Sequence, residues 1–202
     1  MDNETYTKGE KTAQRILDVA EELFAHQGYQ ATTLRDIAHA AGLREPGLYN
    51  HFANKEALYN AVLERGLRPL ETQINQLLAG KPDLMTLVKL PGEMLRLNAR
   101  HPHLSALFYQ AIQCFHQGSP AAGAADWILR LCSLGQSMNR ELMPGDDDVI
   151  ILKIIATFNL CCGYFLAQPL LKEWAGIDAL DEEILVKQQH LMEQVMRTFV
   201  IG

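Results

Sequence analysis

The sequence lacks any arrangement of cysteines that does chemistry. Four are present, at positions 114, 132, 161 and 162, with no CxxC and no cysteine–histidine spacing of a zinc site. Cys161 and Cys162 are adjacent, and on a helix such neighbours diverge by roughly 100°. Reduced thiols in a cytoplasmic protein are the simplest reading. Met1–Gly9 is polar, without an apolar run or a small-residue cleavage site, so no secretory signal is expected. An excess of positive charge is missing too. Eighteen Lys and Arg stand against 24 Asp and Glu, a formal net charge of −6. That balance excludes a protein gripping nucleic acid by bulk charge, so any such contact must come from local placement. HExxH, GxSxG, Walker and dinucleotide fingerprints are absent, which points away from an enzyme and from a bound cofactor. Metal chemistry is not expected either. His101-Pro-His103 cannot present two rings on one helix face, and Asp146-Asp-Asp148 precedes an apolar helix, where the helix dipole favours acids.

Strand-like alternation is also absent, and helical periodicity runs nearly throughout. With 48% hydrophobic and 21% charged residues, a chain of 202 can bury a core without disulfides. The expected fold class is all-α. A first helix spans about Lys11–Gln27, with Ile16, Leu17, Ala20, Leu23 and Phe24 on one face. Gly28 stands where a left-handed cap belongs. Thr33 followed by Asp36 has the spacing of a capping box and opens a short second helix to about Ala41, ended by Gly42. A third begins near Glu45-Pro46, where proline is tolerated in the first turn. Asn54 is a good N-cap for a fourth starting at Lys55. Apolar-periodic segments then follow at about 55–79, 83–100, 102–117, 121–142, 147–172 and 181–200, with Pro69 expected to kink or divide the first of them.

Two short helices joined around a glycine suit a helix-turn-helix, in which one helix braces another that enters the major groove. Ile37, Ala38, Leu43, Leu48 and Phe52 have the spacing of its internal core, and Ala38, Ala41 and Gly42 are small enough for a close crossing. The residues are also specific. Gly28-Tyr-Gln-Ala-Thr-Thr-Leu-Arg-Asp-Ile-Ala-His-Ala-Ala-Gly42, Leu43-Arg-Glu-Pro-Gly-Leu-Tyr-Asn-His-Phe52 and Asn54-Lys-Glu-Ala-Leu58 together resemble the TetR (tetracycline-repressor-like) regulators. The resemblance is strong over roughly residues 11–65. Beyond that only length and helical pattern agree.

That resemblance implies a helix-turn-helix DNA-binding domain over residues 1–54 and an effector-binding and dimerisation domain over 55–202. It implies double-stranded operator DNA, a small-molecule effector and a second copy of the chain as partners. Thr33, Arg35, Tyr49 and Lys55 match positions that meet the DNA backbone. Arg44, Glu45, Pro46, Gly47, Asn50 and His51 fall where base-edge and flanking contacts arise. Gly47 has no side chain to read a base, which shifts specificity toward Arg44, Asn50 or DNA shape. Arg44 takes the place of the family's frequent N-cap serine. The same positions admit plainer roles: Tyr49 packed between helices, Lys55 as a solvated first-turn lysine, His51 as filler. Acidity weighs against DNA, since residues 1–60 carry six Lys and Arg against nine Asp and Glu, a balance of −3.

In the remaining chain, Phe108, Tyr109, Ile112, Trp127, Leu131, Met138, Phe158 and Cys162 supply apolar and soft surface. Asn98, Gln110, Gln113, His116 and Asn159 supply polar contacts. The mixture suits a mainly apolar ligand. Val149–Leu166 is long enough for a membrane span, but Lys153 and Asn159 within it are costly in lipid. A helix buried on both sides explains it better, with a partner covering one face. The last segment presents Ile184/Leu185, Gln188, Leu191/Met192, Val195/Met196 and Phe199, a three–four stripe suited to helix packing. Segments 147–172 and 181–200 are thus the expected dimer interface. Expected overall is a cytoplasmic repressor released from DNA by its ligand; a helical binding module whose head no longer holds DNA is the alternative.

Overall fold

The structure, a computed structural model, describes residues 7–80, 83–113, 122–142 and 146–201. Cys114 and His116 lie outside the described residues, as does the Met138 side chain. The described residues hold ten helices and no strand: α1 (Lys8–Ala31), α2 (Leu34–Ala40), α3 (Glu45–Tyr49), α4 (Lys55–Ala79), α5 (Leu84–Arg100), α6 (Leu104–Gln113), α7 (Ala122–Leu142), α8 (Asp147–Leu166), α9 (Gln168–Ala175) and α10 (Glu182–Ile201). They belong to two compact units, Met1–Arg65 with Leu107–Ala125, and Gly66–Ala106 with Asp126–Gly202.

In the first unit α1 starts three residues earlier than expected, because Thr7 and Glu10 close a capping box around its first turn. Gly28 takes a positive φ of 80° with ψ of 161°, an extended kink and not the left-handed cap that was expected. Its lack of a Cβ permits that conformation, and the chain turns helically once more through Ala31. The core is closed by Ile16, Ala20 and Phe24 of α1, Ile37 of α2, Leu48 of α3, and Leu58, Tyr59, Val62 and Leu63 of α4, all fully buried. Phe24, Tyr29 and Tyr59 form an aromatic cluster with ring centroids 5.0–5.8 Å apart. From α6, Gln110 Nε2 donates to the Ala25 carbonyl at 2.9 Å.

In the second unit α5 packs on α10 and α8. Leu95, Cys161, Phe165, Leu185 and Met192 form a buried cluster there. Two prolines act differently. Pro69 does not divide its segment, since α4 runs through it to Ala79. The segment 147–172 does divide, at Ala167, because Pro169 opens a new helix that ends on left-handed Gly176. The expected stripe on α10 separates into two faces. Leu185, Met192 and Met196 are buried, whereas Leu191 is exposed and Ile184, Val195 and Phe199 are half-buried. Lys153, the one cation within α8, donates from Nζ to the Phe199 carbonyl at 2.5 Å and so caps the end of α10.

Candidate nucleic-acid interface

Three local devices build α2 and α3. The Thr33 hydroxyl accepts from Asp36 N at 3.1 Å and donates to Asp36 Oδ2 at 2.6 Å, while Thr33 N donates to the same carboxylate at 3.2 Å. Chiefly through the Thr33 hydroxyl, the Asp36 carboxyl is held below its ordinary range. At the other end Leu43 N reaches Ala38 O at 2.8 Å and Gly42 N reaches His39 O at 3.0 Å, the paired bonds of a Schellman cap. Gly42 makes this possible with a φ of 67°. At α3, Pro46 sits in the first turn and Arg44 is the N-cap residue, whose guanidinium has donors only and makes no cap bond. Ile37, Ala38, Ala41 and Leu48 bury the inner side, with Leu43 and Phe52 half-buried beside them.

What stays outside is polar. Thr33, Arg35, Arg44, Glu45, Pro46 and Asn50 are exposed, as is Tyr49 at 50%, while Gly47 and His51 are half-buried. A Cβ added at Gly47 meets nothing within 4 Å.

Lys55 is differently placed. Its ammonium donates to the carbonyls of Tyr29 at 2.7 Å, Thr32 at 2.9 Å and Gln30 at 3.4 Å, and lies 4.4 Å from the Tyr29 ring centroid. Burial lowers its pKa. A second constellation was not foreseen. Arg65 on α4 binds Asp18 at 2.6 Å and Glu21 at 2.7 Å, both on α1. Glu21 is 4% exposed, so this is an interior ion pair. Its single positive charge offsets one of the two negative charges that Asp18 and Glu21 contribute on α1. Sequence offers little sign of either, because the partners lie 23–47 positions apart. One hint existed: a lysine opening a helix stands against that helix's dipole.

The candidate ligand residues fall in both units. In the first, Phe108 is buried, Tyr109 half-buried, and Ile112 and Gln113 exposed. In the second, Asn98 is buried, its Nδ2 donating to Met94 O at 3.0 Å and its Oδ1 accepting from Ser105 Oγ at 3.3 Å. Burial pushes the Cys162 thiol up to about 12, against a smaller lowering by the neighbouring Ser105 side chain. Asn98 and Cys162 are therefore brought together through a serine that the sequence did not single out. Trp127, Leu131 and Phe158 are half-buried, with the Arg130 guanidinium 4.2 Å from the Trp127 ring centroid. Asn159 is exposed and donates to Ile155 O at 2.9 Å. Among the described residues no His, Cys, Asp and Glu side chains cluster as a metal site.

Known proteins share this construction. Residues 16–62 match the family described as bacterial regulatory proteins, tetR family. The HTH-type transcriptional repressor KstR2 of Rhodococcus jostii is 41% identical over 68 residues, 34% of this chain and 33% of that protein. The match thus spans about a third of that relative. Over nearly the full length the fold is similar to that of the ketosteroid transcriptional regulator KstR2 of Mycobacterium tuberculosis, with a TM-score of 0.67 at 19% identity, covering 94% of this chain and 93% of the other. A transcriptional regulator from Aquifex aeolicus is similar at a TM-score of 0.65 and 20% identity, covering 93% and 98%. The capped α2, the Gly42 turn and α3 all lie inside the segment that matches the tetR family of bacterial regulatory proteins.

Proposed function

We propose that this protein is a dimeric, ligand-responsive transcription regulator, a repressor that a mainly apolar small molecule releases from operator DNA. The observation that carries the reading is the α2–α3 pair: its aliphatic side is buried, and Arg35, Arg44, Tyr49 and Asn50 stand exposed beside it. In this reading residues 1–54 are the DNA-reading domain and 55–202 the effector-binding and dimerisation domain. Thr33, Arg35 and Tyr49 contact phosphates. Arg44 and Asn50 are suited to guanine and adenine edges, flanked by Glu45, Pro46, Gly47 and His51.

Dimerisation rests on α8 and α10. On α8, Val149, Ile151, Leu152, Ile155 and Leu166 are 41–67% exposed, and Leu191 of α10 is 55% exposed. Leu152, Ile155, Asn159, Gly163 and Leu166 recur at three- and four-residue steps, and a Cβ at Gly163 meets nothing within 4 Å. Such a stripe invites close approach by another helix. Alone among the described helices, α8 is long and apolar enough to cross a membrane. A second protomer covering it serves the same physical need, and Lys153 and Asn159 fit that better than lipid. The protein is then cytoplasmic. Two heads would meet half-sites one helical turn or slightly more apart, and ligand would favour a state with the wrong spacing. The ligand's polar group would meet Asn98, Ser105 and Cys162, and the ketosteroid in one structural neighbour's name accords with an apolar ligand.

The balance of −3 over residues 1–60 favours a second reading, a binding module whose head holds no DNA. Selection of duplexes from a random-sequence pool by the dimer, followed by polarisation titration at low salt, separates the two. Saturable binding that favours selected over scrambled duplex supports regulation. No binding by micromolar dimer supports the module.

A further inference from the structure

The end of α1 leaves a row of carbonyls that the helix itself cannot satisfy, as every helix C-terminus does. Thr32, fully buried, shares its one hydroxyl proton between Gly28 O at 2.9 Å and Leu23 O at 3.2 Å. Three more, of Tyr29, Gln30 and Thr32, are taken by Lys55 from the first position of α4. An ammonium has three N–H donors, and here each has a carbonyl. The charge arrangement agrees. The last turn of α1 holds no basic residue of its own, although that is where a cation is favoured. Lys55 supplies one from 26 positions away, at the end of its own helix where a cation is disfavoured. The Tyr29 ring adds a face for the cation, and that ring is itself packed on Phe24 and Tyr59.

The carbonyls so held belong to the segment that immediately precedes Thr33, the N-cap of α2. We infer that Lys55 is a positioning residue for the DNA-reading helices: it binds the α1–α2 turn, sets where Thr33 and Arg35 stand, and does not itself grip phosphate. The inference rests on the DNA-binding reading above. It departs from the phosphate contact that family resemblance implies for this position.

Salt dependence separates the roles, because each phosphate contact releases counterions and steepens the slope. The specific probe is a duplex enriched by the wild-type chain from a random pool, and the nonspecific probe is a scrambled duplex of equal length. Lys55→Met keeps the stem and removes the donors. Well below its melting temperature, its affinity for the enriched duplex should fall about tenfold, with affinity for scrambled duplex within about twofold and the salt slope unchanged. Lys55→Arg, which keeps donors for the carbonyls, should restore most of the loss. A slope lower by about one, with equal losses on both duplexes, makes Lys55 a phosphate ligand and overturns the inference. So does unchanged affinity for both duplexes with only a lower melting temperature. Should Lys55→Met not fold, Lys55→Gln, whose amide donates without charge, carries the same comparison. If the wild type enriches no duplex, the DNA reading has failed and amide exchange still tests the turn: exchange over Leu34–Ala40 should quicken in the variant, and an unchanged rate refutes the positioning role.

Discussion

The helices nearest the N-terminus and those nearest the C-terminus treat their apolar side chains in opposite ways. Among the described residues through Arg65, large apolar side chains are buried or half-buried, and the one large exposed ring is the phenol of Tyr49. From Asp147 onward, Val149, Ile151, Leu152, Ile155, Leu160 and Leu166 of α8 stand outside, with Leu170 and Trp174 of α9 and Val186 and Leu191 of α10. The first region has completed its core and offers hydrogen-bonding groups. The second has more aliphatic surface than its own fold can cover. Exposed apolar patches of that kind mark association surfaces, and polar, cation-bearing ones suit a hydrated polyanion.

Breaking the apolar side should have the largest effect. Leu152→Glu puts a charge at the most exposed aliphatic position of α8. It should weaken dimerisation by about 4 kcal/mol or more, seen as monomer at micromolar concentration in sedimentation equilibrium, without loss of helix content. An unchanged dimer would remove that face from the interface.

On the completed side, the interior ion pair gives the next largest change. Arg65→Ala removes the guanidinium from the buried Glu21 carboxylate and should cost about 3 kcal/mol in chemical unfolding. Glu21→Gln with Arg65→Met together should cost less than Arg65→Ala alone, because the buried carboxylate charge goes with the guanidinium. If the double variant is the weaker one, the pair contributes net attraction.

Smaller effects sharpen the contrast at α2 and α3. Thr33→Ala should cost about 1 kcal/mol, the ordinary loss of an N-cap. The cap should also be acid-sensitive. Asp36 has a folded-state pKa below its ordinary one, so its contribution is present above the ordinary carboxylate range near pH ~4 and fades as pH falls through the lowered value. Thr33→Ala should flatten that acid limb, and an identical pH profile would count against the bond. Least of all, Gly47→Ala should be neutral or stabilise by up to about 1 kcal/mol, since Gly47 lies within α3 and a Cβ there has open space. A loss of stability would mean that the α3 backbone differs from the one described.

Much of the candidate site was legible because it is built from local chemistry. Thr33 and Asp36 are three apart, Gly42 ends α2 from the next turn, and Asn54 Oδ1 caps α4 by accepting from Ala57 N at 2.8 Å. Such devices act within one helical turn and leave their mark as residue spacing. Pro69 and Pro169 show how far that goes. Each is a proline in an apolar-periodic segment, yet α4 passes through one and a new helix starts at the other. Whether a proline breaks a helix depends on whether neighbouring packing offsets the lost hydrogen bond. The family resemblance puts Lys55 at the DNA backbone, and nothing in the sequence singles out Arg65. Their partners are set by how α4 lies against α1, which no spacing encodes.

By itself the sequence determined the all-helical fold and most helix ends, because periodicity, caps and turn glycines act over a few residues; its resemblance to the TetR regulators supplied the DNA candidates on α2 and α3. Only the tertiary structure decided that Lys55 faces three carbonyls, that Glu21 is buried on Arg65, and that the α10 stripe divides into an inner and an outer face. Those depend on helices distant in the chain meeting at a particular register, and burial and charge pairing exist only once they have met.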